Sequence, residues 1–133
     1  MATAKQVRDL LQTKVGDLLG TYQFSNNQQR PAIFVRGSQQ RPADVQVTGV
    51  ELVLDETTQD TGRPLVGAGV AVTSMWRLTI TQYNRSATLS VVKTRLRSVF
   101  PDLMNVVHLP QSDSTYEQLT CSIPDYALYQ EIL

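Results

Sequence analysis

Apolar residues recur at helical spacing in two stretches of the chain and alternate with polar ones in several others. Val7, Leu10, Leu11, Val15, Leu18 and Leu19 return every three or four positions, which places them on one face of a helix over 3–19. Thr3 is the expected N-cap and Gly20 the expected C-terminal glycine. Leu89, Val92, Leu96, Val99 and Phe100 predict a second amphipathic helix over 87–100, with Ser86 as candidate cap and Pro101 as its stop. Strand patterns occupy 31–36, 45–55, 73–83, 104–109 and 116–123. In the second of these, Val50, Leu52 and Leu54 alternate with Glu51, Val53 and Asp55, predicting one buried and one wetter face. In the third, Trp76, Leu78 and Ile80 share a face opposite Arg77, Thr79 and Thr81.

Residues 56–72 (ETTQDTGRPLVGAGVAV) carry little bulk and are punctuated by Gly62, Pro64, Gly67 and Gly69. They form either a long loop or an extended hairpin arm, and a connection of that length in a compact domain usually has a function. The order is therefore α-β-β-β-α-β-β. Consecutive strands favour antiparallel pairing, and the crossover through the second helix permits one parallel pair. Two helices on one face of a mixed, mostly antiparallel sheet make a two-layer α+β sandwich, a single domain over 1–133.

Composition narrows the function classes. Apolar residues are 41% of the chain, enough for a packed core, while charged residues are only 18%. A polar but weakly charged surface loses its water cheaply, which suits packing against other proteins. The net charge is zero, so no global field draws the chain to sequence-specific nucleic acid or to an anionic membrane. No stretch reaches the roughly 18 apolar residues of a membrane span, and the N-terminus lacks an apolar signal core. The single Cys121 excludes an intrachain disulfide and fits a reducing cytoplasm.

The charges are segregated. Between Thr61 and Pro101 there are six basic residues and no acid; from Asp102 onward there are five acids and no Lys or Arg. Either the two segments are neighbours within one fold, or they meet across a subunit boundary. Opposite patches on one subunit suit a head-to-tail ring. The candidate contact residues are Arg63, Arg95 and Arg97 on one side and Asp113, Glu117 and Asp125 on the other. Tyr126, Leu128, Tyr129 and Leu133 are candidates for an apolar part, or else pack back onto their own sheet.

No catalytic constellation emerges, so the expectation is a protein that is not an enzyme, with no cofactor and no metal. His108 is the only histidine. A Cys121–His108 dyad across adjacent strands is conceivable, but Cys121 lies on the apolar face, where a thiol behaves as a small hydrophobe. Asp55, Glu56 and Asp60 read as the solvated base of the long connection, and Gly67-Ala68-Gly69 is followed by strand formers where a phosphate loop needs a helix. Lys93, Arg95 and Arg97 lack the interleaved aromatics of a nucleic-acid patch.

Taken together, the chain resembles the tail-terminator and neck proteins of tailed bacteriophages. The resemblance lies in the helix VRDLLQTKVGDLLG, the early Pro31-Ala32-Ile33 strand, the long connection before Trp76-Arg77-Leu78-Thr79-Ile80-Thr81-Gln82, the helix ending at Phe100-Pro101, and Tyr116-Glu117-Gln118-Leu119-Thr120 in a closing strand. It implies an α+β sandwich that assembles as a hexameric ring, caps the tail tube and joins it to the head. The implied partners are further copies of the chain, the tail tube protein and the head-proximal connector proteins, with the tail sheath as a further candidate. The implied location is the virion neck or tail, assembled in the host cytoplasm. Head closure and tail completion are the alternative neck roles, with a small enzyme or nucleic-acid module behind them.

Overall fold

A computed structural model of the chain describes residues 3–25, 27–36, 45–65, 69–84 and 88–125, with side chains described outside 58–73. Helix α1, Ala4–Val15, opens with a capping box: the Thr3 hydroxyl accepts from the Gln6 amide, and the Gln6 side chain accepts from the Thr3 amide. One turn of 3₁₀ helix, Gly16–Leu18, ends it. Gly20 is therefore not the helix terminator. It is a point of backbone contact, where a Cβ would lie 1.7 Å from the carbonyl oxygen of Thr48.

Among the described residues eight strands follow: β1 (Thr21–Gln23), β2 (Gln29–Pro31), β3 (Ile33–Val35), β4 (Gln46–Thr48), β5 (Val50–Leu65), β6 (Gly69–Gln82), β7 (Met104–Leu109) and β8 (Glu117–Pro124). Helix α2, Ser90–Val99, lies between β6 and β7. The main sheet has the order β3-β5-β6-β8-β7. All its pairs are antiparallel except β3 with β5. The α2 crossover does join two strands of like direction, but β8 inserts between them, so the one adjacent parallel pair arises elsewhere.

A second sheet, β2-β1-β4, is absent from the sequence reading. Its strands are three residues each (TYQ, QRP, QVT), too short to show a period. Gly49, at φ +83°, swings the chain from β4 into β5.

One face of the main sheet carries Leu52, Leu54, Trp76, Leu78, Ile80, Leu119, Cys121 and Ile123 against Val7, Leu11 and Val15 of α1 and Val92 and Leu96 of α2. This is the two-layer α+β sandwich. The opposite face of β5 is drier than alternation predicts, because Glu51, Val53 and Asp55 are also buried. The Glu51 carboxylate accepts from the hydroxyls of Tyr22 on β1 (2.5 Å) and Tyr83 (3.2 Å), which ties the small sheet to the large one.

Candidate functional site

The stretch 56–72 takes the hairpin form of the two expected alternatives. β5 and β6 pair from Val50↔Gln82 to Asp60↔Val72 and, past a register irregularity between Asp60 and Pro64, again at Pro64↔Val70 and Leu65↔Gly69. The neighbouring strands stop well short. β3 accompanies β5 only to Leu54, and β8 accompanies β6 only from Met75. From Thr58↔Ser74 outward the two strands have only each other as ladder partners among the described residues. Six residues of β6, Gly69 to Ser74, at about 3.3 Å each make a ribbon of roughly 20 Å.

A second feature lies at the far edge of the same sheet. β7 pairs with β8 on one side and with no other described strand. Val107 and Leu109 on it are 48% and 52% exposed, and Tyr116, just before β8, is 40% exposed. Three of the four large apolar side chains exposed among the described residues thus share one sheet edge. Tyr116 packs its ring against Tyr83, centroids 4.9 Å apart, and so is held in place.

The candidate contact residues divide. Arg97 and Asp113 are on the surface. Arg63 lies on the ribbon, at the register irregularity. Tyr126, Leu128, Tyr129 and Leu133 lie outside the described residues. The other three are occupied within the chain. Arg95 forms a fork onto Asp17 at 3.0 and 3.2 Å and donates to the Lys14 carbonyl at 3.0 Å, tying α2 to the end of α1. That guanidinium holds the Asp17 carboxyl below its ordinary value.

Asp125 is buried and accepts from the Trp76 indole N–H at 2.7 Å. Glu117 is buried under the start of α2, where its carboxylate accepts from the Leu89 amide (2.6 Å) and the Thr88 hydroxyl (3.3 Å) and meets His108 Nε2 at 2.5 Å. It is thus the anion at the helix N-terminus, supplied from β8. Neither Glu117 nor Asp125 is a surface charge. The basic segment also pairs differently from expectation: Arg77 and Arg95 face Asp55 and Asp17, both from the first sixty residues. Among the described residues only Lys93 approaches an acid of the C-terminal segment, through His108 (3.5 Å) to Glu117.

The dyad of Cys121 and His108 does not form a nucleophile and base. Both ring nitrogens of His108 are engaged, by Glu117 and Lys93. Cys121 is buried, and burial pushes its thiol up to about 12. Asp55 is not a solvated loop base. It is buried between Arg36 (3.5 Å) and Arg77 (3.6 Å), and its Oδ2 lacks a hydrogen-bond partner. Glu56 is exposed on the other side of the strand. Among the described residues no group of three or more His, Cys, Asp or Glu is placed to hold a metal ion. No described helix is long and apolar enough to cross a membrane.

No protein-family model, curated protein or solved structure matches the chain.

Proposed function

We propose that the chain is a structural assembly subunit, the tail terminator of a tailed bacteriophage, which closes as a hexameric ring on the head-proximal end of the tail tube. The observation that carries this reading is the β5–β6 ribbon. Two strands alone are marginally stable in water, and a third strand or a packed face is what stabilises them. A ribbon that outruns its own sheet therefore calls for a surface outside the fold. Its sequence supports the same reading: Val70, Ala71 and Val72 are three consecutive apolar residues with no charge among them.

A terminator needs a head-to-tail contact to make a ring, one face that fits the tube, and another that does not propagate it. A ribbon and a sheet edge on one subunit provide two non-identical surfaces. The tail tube protein, the head-proximal connector and, in a contractile tail, the sheath are the partners this assigns. Particles made without the chain test it. The expected result is tails of unregulated length that fail to join heads; tails of normal fixed length joined to heads contradict it.

A further inference from the structure

We propose that the β5–β6 ribbon of one copy adds to the open edge of β7 in a second copy, extending that copy's sheet. The inference rests on the assembly reading above and names the contact. Both present backbone N–H and C=O groups that no ladder among the described residues pairs, and strand addition satisfies such groups in pairs. The β7 edge carries none of the devices that keep a sheet edge from pairing over its regular part. Val107, His108 and Leu109 include no Lys, Pro or acid, and the irregularity at Asn105 confines protection to the other half.

Electrostatics agree. The stretch 58–74 carries one acid, Asp60, and one base, Arg63, and β7 carries no Asp, Glu, Lys or Arg, so the contact brings no like charges together. Ribbon and edge are different surfaces of one chain, so the contact is heterologous and continues into a ring or a filament.

Two variants test this. In the first, Val107→Lys and Leu109→Lys block the edge at exposed positions. In the second, 58–74 is replaced by an Asn-Gly turn joining the paired Thr57 and Met75. Native mass spectrometry should show each variant alone at least about a hundredfold weaker in self-association than the parent chain. Their mixture should give a 1:1 dimer, the intact ribbon of one on the intact edge of the other. Self-association of the edge-blocked chain equal to the parent's overturns the inference, as does a mixture that stays monomeric.

Should the shortened chain fail to fold, a short bis-maleimide applied to mixed Ala71→Cys and Val107→Cys chains reads the same contact. Cross-linking between the two kinds of chain supports it, and its absence overturns it; Cys121 is buried and does not compete. Pairing in the mixture with a parent chain that grows open filaments would keep the contact and sink the ring. Rings that form with the edge blocked would do the reverse.

Discussion

Glu117→Ala should destabilise the isolated chain by about 3 kcal/mol, the sum of what its carboxylate does for α2 and for His108. Its carboxylate is the acceptor for the Leu89 amide at 2.6 Å, in a buried setting. A hydrogen bond to a charged group contributes about 1.5–3 kcal/mol, and loss of a helix cap costs about 1 kcal/mol, two figures that overlap here. Truncation also leaves His108 Nε2 without its partner, and a half-buried donor left unpaired adds roughly 1 kcal/mol.

Glu117→Gln keeps an acceptor for Leu89 and should cost only about 1 kcal/mol. Thermal unfolding followed by circular dichroism gives the answer directly, because 3 kcal/mol corresponds to roughly 10 °C in a domain of this size. His108→Ala should add little once Glu117 is gone, since the two share one interaction. The reasoning fails if Glu117→Ala melts within about 2 °C of the parent chain, or if Gln and Ala cost the same.

Leu78→Ala should cost about 2–5 kcal/mol, because Leu78 is fully buried between β5 and β8 beneath the helices, and an unchanged denaturation midpoint would show the core is drawn wrongly. Asp17 should titrate below its ordinary 3.8, and Arg95→Gln should return it towards that value, as read by NMR. The folded carboxyl is the more acidic one, so the tie between α1 and α2 contributes above the unfolded value and is lost as pH falls through the folded one. An Asp17 midpoint unmoved by Arg95→Gln would remove the guanidinium as the cause.

The parts of the fold visible in the sequence are those set by local periods. The Trp76, Leu78, Ile80 alternation and the Val7, Leu11, Val15 stripe each mark a core face, and both are buried as expected. Thr3 and Gln6 lie three residues apart, so their capping box is a local signal. What the sequence does not display is pairing over distance. Glu117 caps a helix 28 residues away from it in the chain, and Asp125 meets Trp76 across 49. In the sequence both read as members of an acidic run. Glu51 looks solvent-facing by alternation, yet two tyrosines from separate segments bury it.

Gly20 follows a helix and resembles a terminator, while its actual constraint is a carbonyl from residue 48. The ribbon was half visible: glycines and low bulk marked 56–72 as unusual, but a loop and a hairpin share that texture until the register is known. The exposed edge at Val107 and Leu109 gave no sign, because an apolar strand reads the same whether its neighbour is in the same chain or another.

The central claim, a ring at the end of the tail, is tested most directly by locating and counting the chain in the assembled particle. Cryo-electron microscopy of virions carrying a tagged copy should place six copies in one closed ring between the tail tube and the head. Absence from the particle, copies distributed along the tube, or copies confined to the tip far from the head would contradict it.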